Sequence, residues 1–114
     1  MRENNAEVNG TLEFSQIARG PFQACYLGYG IGKRHEGKGL MYEGARAAID
    51  YAFRDLNLHR IMANHLPDNH RSASLLQRLG FMRECIAKEY LRINGDWRDH
   101  VLNSLTNHNW VEKL

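Results

Sequence analysis

Arg34-His35-Glu36-Gly37-Lys38-Gly39 separates two stretches of opposite character. Before it runs Cys25-Tyr26-Leu27-Gly28-Tyr29-Gly30-Ile31, apolar and strand-like; after it runs Leu40 to Phe53, rich in Ala, Leu and Met. A glycine-rich turn from strand to helix leaves backbone N–H groups unpaired at the helix start. Together with the helix dipole these groups favour a phosphate. Gly37 and Gly39 carry no side chain to block a close-lying pyrophosphate. The spacing is R-x-x-G-x-G. It differs from the dinucleotide fingerprint, because after Gly28 and Gly30 the next glycine, Gly32, falls one residue early. It also lacks a P-loop lysine followed by Ser or Thr.

Outward from the loop, the chain alternates strand and helix signals. Val8 to Ile17 reads as a strand, Arg19-Gly20-Pro21 as a turn, and Gln23 to Ile31 as a second strand completing a hairpin. The Gly28-x-Gly30 pair within that strand suggests a bulge or a close backbone approach. Along Leu40 to Phe53, Met41, Ala45, Ala48 and Ala52 fall on one helical face, with Leu40 and Ile49 beside them. Arg60 to His65 is a short strand, and Leu66-Pro67-Asp68-Asn69 turns the chain. Asp68 or Asn69 caps a helix running to about Leu79, buried along Leu75, Leu76 and Leu79 and stopped by Gly80. Phe81 to Ile93 and Trp97 to Leu105 are strands joined by Asn94-Gly95, a strong type I′ hairpin signal. The order β-β-α-β-α-β-β places the fold in the α/β (α+β) class. Its central strand–helix–strand unit implies parallel pairing and a right-handed crossover, and its terminal hairpins make the sheet mixed.

Composition narrows the function classes. With 114 residues the chain forms one domain and buries a modest core. Residues 1–7 read as a polar tail without the apolar centre of a signal peptide, and no run approaches the 18 apolar residues of a membrane span. Cys25 and Cys85 stand far apart, which fits a reduced cytoplasmic setting. The net charge of +2 favours anionic ligands mildly, but no dense Lys/Arg block points to direct nucleic-acid binding. Six histidines are scattered without H-E-x-x-H or Cys/His pairing, so no metal centre is expected.

The loop resembles the acyl-CoA-binding signature Q/R-x-x-G-x-G/A of the GNAT N-acetyltransferases. The similarity extends from about Val8 to Trp110. Asn69-His70-Arg71-Ser72, followed by Leu75, Leu76 and Leu79-Gly80-Phe81, resembles the N-x-x-S … L-x-x-L-G-F pattern of the bacterial ribosomal-protein N-terminal acetyltransferase branch. Ala24 to Tyr29, Gly37 to Met41, His59 to Asn64 and Trp97 to Leu102 are similar to the same branch. This branch of the family opens with an additional strand, a pair of helices and a further strand, and the present sequence starts near the strand before the hairpin. The resemblance therefore implies a partial, N-terminally truncated GNAT-like domain over 8–114, a mixed sheet with flanking helices, read as a fragment, as a truncated copy or as a chain that a second copy completes as a homodimer.

The resemblance implies acetyl transfer from acetyl-CoA to an amine, here the N-terminal alanine of a small-subunit ribosomal protein. Alternatives are a small amine acceptor such as an aminoglycoside or polyamine, or a CoA-binding module without turnover. By position, Arg34, His35, Glu36, Gly37, Lys38 and Gly39 would bind the pyrophosphate, and Leu27, Tyr29 and Ile31 would flank the pantetheine and thioester. The strands ending near Ile31 and His65 would splay to admit that arm. Asn69 would touch the arm while capping its helix, and Ser72 would place a hydroxyl near the thioester sulfur; a solvent-facing first-turn serine is the plainer reading. Tyr29 is equally readable as a core aromatic. On the late strand, Glu84, Glu89 and Tyr90 are candidates for base or acid, with Glu89 and Tyr90 preferred. Alternation sets Glu84 and Tyr90 on one face and Glu89 on the other. A glutamate that a related branch carries on this strand corresponds to Leu91. Trp97 is expected to pack on the hairpin and Asp99 to pair with an arginine. A protein N-terminal amine, with pKa about 7.7–8.0, is roughly one-quarter neutral near pH 7.4, whereas a lysine amine at about 10.4 is only ~0.1% neutral. An N-terminal acceptor thus needs only a mild base.

Overall fold

The computed structural model describes residues 11–30 and 40–112. The polar tail, Val8 to Gly10 and Ile31 to Gly39 lie outside the described residues. The elements are β1 (Thr11–Ala18), β2 (Ala24–Gly30), α1 (Leu40–Arg54), β3 (Arg60–His65), α2 (His70–Leu79), β4 (Met82–Ile93) and β5 (Asp96–Thr106). This is the expected order, with β3 at its expected bounds.

The five strands form one mixed sheet in the order β1-β2-β3-β5-β4. β2 and β3 are parallel, joined through α1, and the other neighbours are antiparallel. On β3, Ile61, Ala63 and His65 are buried while Arg60, Met62 and Asn64 are half-buried, the alternation of a strand backed on one side. The backed side carries both helices. Ala45, Ile49 and Ala52 of α1 and Leu75, Leu76 and Leu79 of α2 pack with Cys25, Leu27, Ile61 and Ala63 into one core. Fully buried Leu and Ile side chains here contribute about 1.5–3 kcal/mol each by leaving water. Among the described residues, no helix covers the opposite face, which carries Tyr26, Met62, Asn64 and Ser104.

α2 shows how local chemistry fixes the site. Asn69 is the N-cap, its Oδ1 accepting the Ser72 N–H at 3.1 Å. Gly80 ends the helix in the left-handed region at φ 97°, its N–H bonding back to the last turn. Asn94 and Gly95 both have positive φ, 52° and 86°, as a type I′ turn requires.

Three expectations are corrected. Of the two readings of Gly28-x-Gly30 the bulge is excluded, since Gly28 pairs regularly with Glu13, and the irregularity lies instead in β1 between Ser15 and Ala18, where Gln16 has φ 51°. Trp97 does not pack down on the hairpin; it is 59% exposed. Asp99 pairs with Lys88 at 3.6 Å and accepts the Glu89 N–H at 2.9 Å, because β4 bulges between Ala87 and Leu91 and turns that N–H toward β5.

Candidate active site

The feature that organises the site is an opening inside the sheet. β2 and β3 pair from Ala24↔Arg60 to Tyr26↔Met62 and no further. Both strands continue: β2 stays paired with β1 as far as Gly30, and β3 with β5 as far as His65. The facing edges of Leu27–Gly30 and Ala63–His65 are thus left without strand partners in one another. Backbone N–H and C=O groups are obligatory hydrogen-bonding groups. A slot bounded by two such edges suits an extended, amide-bearing ligand. It opens at the C-terminal ends of parallel strands, where α/β sheets commonly bind ligands.

On the helix side of the slot, Tyr29 and Ser72 come together. Ser72 is buried, not the solvent-facing serine of the plainer reading. The Tyr29 hydroxyl is buried beside it, yet completes no hydrogen bond among the described residues. Burial raises the Tyr29 pKa, and the neighbouring Ser72 hydroxyl partly offsets that rise. Leu27 is buried in the core. Asn69 stands one turn before Ser72, its carbonyl oxygen committed to the cap.

On the open side lies a second group that the sequence reading captured only through Tyr90. The Tyr90 side chain of β4 interacts with Tyr26 of β2 and Asn64 of β3, although β3 and β5 lie between β2 and β4. The hydrogen bond to Tyr26 is the main cause of its raised pKa, with burial adding to it. The His100 ring lies 5.9 Å from that of Tyr90. His100 Nδ1 donates to the Arg98 carbonyl at 3.0 Å; on the other, helix-backed face of the sheet His65 Nδ1 donates to the Leu66 carbonyl at 2.8 Å. Because a carbonyl only accepts, each neutral ring keeps its lone pair at Nε2. No local pattern marked these histidines or Tyr26.

Glu84 and Glu89 are placed differently. Glu84 is held by Arg60 at 2.7 Å and by the Ser104 hydroxyl at 2.8 Å, which together lower its pKa. Glu84 and Tyr90 therefore reach the same face, as alternation predicts. Glu89 is exposed at the bulge, with φ 47°. Ser72 and Tyr90 stand on opposite faces of the sheet. Ile31, Arg34, His35, Glu36, Gly37, Lys38 and Gly39 lie outside the described residues.

Residues 1–82 match the model of the acetyltransferase (GNAT) domain. The chain belongs to the GNAT family. It is 56% identical over 105 residues to the [ribosomal protein uS5]-alanine N-acetyltransferase of Escherichia coli, covering 92% of this chain and 54% of that protein. The crystal structure of ribosomal-protein-S5-alanine acetyltransferase from Vibrio fischeri superposes with a TM-score of 0.88 at 45% identity, over 91% of this chain and 57% of that one. RimJ of Mycobacterium smegmatis, solved in complex with CoA-disulfide, gives 0.86 at 30% identity, over 96% and 53%. The chain thus spans about half the length of the relatives it matches. No helix among the described residues is long and apolar enough to cross a membrane.

Proposed function

We propose that the chain transfers the acetyl group of acetyl-CoA to the N-terminal alanine amine of a small-subunit ribosomal protein of the uS5 kind, in the cytoplasm. The observation that carries this reading is the unpaired slot between β2 and β3, beside the Asn69 cap and the Ser72 hydroxyl. The likeness to the Escherichia coli enzyme, whose name gives a ribosomal-protein alanine, supports this choice of acceptor.

In this reading the pantetheine arm lies in the slot and bonds to the free edges of β2 and β3. The phosphates rest on Arg34 to Gly39. A backbone N–H of Leu27–Gly30 donates to the thioester carbonyl and strengthens as it becomes an oxyanion. The acceptor amine, once neutral, attacks the carbonyl carbon and forms the new C–N bond. Collapse of the tetrahedral intermediate breaks the C–S bond; Ser72 passes its proton to the departing thiolate, and the proton shed by the amine nitrogen restores the Ser72 hydroxyl through water. Tyr90, within its cluster, takes part in proton movement on the open side. Glu89 serves at most through water.

Calorimetry with acetyl-CoA tests the reading. Saturable binding is expected, and lost in a Gly37→Glu/Gly39→Glu variant, whose carboxylates occupy the phosphate position. A folded chain that does not bind acetyl-CoA overturns the assignment.

A further inference from the structure

β5 runs antiparallel to β3, with Val101 opposite His65. Trp97 to His100 therefore extend past the C-terminal end of β3, on the side where the slot opens. The loop that follows β3, Leu66 to Asp68, lies at that same end and leads directly into the Asn69 cap. Between this loop and the start of β5 is a cavity of about 380 Å³ lined by Pro67, Asp68, Trp97, Arg98 and Asp99.

The two carboxylates there are not equivalent. Asp99 is engaged by the Glu89 N–H and by Lys88, and those contacts, with the Arg98 charge, lower its pKa. The Asp68 carboxylate has no partner among the described residues; only its backbone carbonyl is bonded, to the His70 N–H. Trp97 leaves more than half its indole uncovered. The cavity therefore offers an uncommitted anion, a cation in Arg98 and an aromatic wall.

We propose that this cavity receives the first residues of the acceptor polypeptide, with Asp68 facing its N-terminal ammonium, Arg98 its first carbonyls and Trp97 its leading side chain. The assignment rests on the acetyl-transfer reading for why an amine approaches this end of the slot. Charge complementarity selects a peptide over a polyamine. A peptide end presents one ammonium followed by acceptor carbonyls, matching Asp68 and Arg98 together. A polyamine presents only cations, which Arg98 repels. Near pH 7.4 about three-quarters of an N-terminal amine is still ammonium, so Asp68 gathers the majority form before a proton is lost.

Trp97 provides the readout. The other tryptophan, Trp110, is held by its Nε1–H on the Asn57 carbonyl and edge-on to His59. The probes are Ala-Gly-Ala amide, its Nα-acetylated copy and spermidine, titrated into the full chain while indole emission is followed. The free peptide is expected to give a saturable change that Trp97→Phe removes. The acetylated copy and spermidine are expected to bind about tenfold or more weakly, the size of one charge-assisted hydrogen bond. Asp68→Asn is expected to bring the free peptide down to the level of its acetylated copy. Equal binding of both peptides, tighter binding of spermidine, an unchanged Asp68→Asn variant, or a signal persisting in Trp97→Phe would each overturn the proposal. Circular dichroism confirms that both variants fold. Calorimetry with acetyl-CoA in the same samples separates the two readings, because loss of acetyl-CoA binding strikes the enzyme assignment while the peptide titration reports on the cavity alone.

Discussion

The two edges of β3 are finished differently. Toward β5 it is paired along its full length, from Arg60↔Thr106 to His65↔Val101. Toward β2 the pairing stops at Tyr26↔Met62, halfway along. The closed edge is reinforced by Asn103, buried in β5, whose Nδ2 donates to the Ala63 carbonyl at 3.1 Å. The difference teaches how a sheet holds an opening in its middle. β1 secures the outer edge of β2, β5 secures the far edge of β3, and the helices hold both strands from one side.

The largest effect expected from breaking this arrangement is on stability, at the backed side of β3. Ile61 is fully buried in the core, so Ile61→Ala is expected to cost about 2–5 kcal/mol in denaturant unfolding. Met62→Ala, one residue on and half-buried on the open face, is expected to cost less than half as much. Equal losses would mean that the open face is as tightly packed as the core, and the contrast between faces would fail.

Ser72→Ala sharpens the contrast at the slot. The hydroxyl is buried beside Tyr29 but not needed for the cap, which uses the backbone N–H of Ser72. Steady-state kinetics is expected to show kcat lowered about 10²-fold, the ordinary worth of one positioned acid–base group. Acetyl-CoA affinity by calorimetry should stay within about twofold, since a cap and a slot left intact still hold the arm. An unchanged kcat would remove Ser72 from the chemistry.

Asn69→Ala acts on the same helix through its cap, and a loss of about 1 kcal/mol is expected from the unfolding midpoint. Asn69→Asp should restore most of it, because a carboxylate oxygen also accepts the Ser72 N–H and favours the positive end of the helix dipole. If Asp rescues stability but not acetyl-CoA binding, the Asn69 amide contributes to the ligand as well as to the helix.

How much of this was readable in the sequence depends on the range of the interaction. β3, α2 and its two ends were legible because alternation, the capping asparagine and Gly80 act within a few residues. The slot was anticipated through the family likeness, not from any local pattern. Trp97, Asp99 and the Tyr26–Tyr90 contact were not legible. The last two involve residues in the bulge of β4 between Ala87 and Leu91, and a bulge at a non-glycine residue such as Glu89 leaves no compositional mark, whereas Trp97 pairs regularly with Arg92. Alternation nonetheless placed Glu84 and Tyr90 on one face correctly. The glycine-rich loop proposed to bind phosphate, the clearest signal in the sequence, falls outside the described residues.

The smallest effect belongs to the open face, where Arg60, Glu84 and Ser104 tie β3, β4 and β5 together. The Ser104 hydroxyl and Arg60 lower the Glu84 pKa below its ordinary 4.5 in the folded chain. A carboxylate with a depressed folded pKa contributes stability that is present above its unfolded value and lost as pH falls through the folded one. The contribution is therefore full near pH 7 and fades below about pH 4.5, toward the lower folded value. The Glu84 side chain is 41% exposed, so solvent screening keeps the pair under about 1 kcal/mol. Unfolding of Glu84→Gln followed from pH 7 to pH 3 should show its deficit shrinking as the wild-type carboxylate takes up its proton. A deficit constant across that range would mean that the shape of the side chain, and not its charge, ties the open face, and the two faces of the sheet would then be held by the same kind of force.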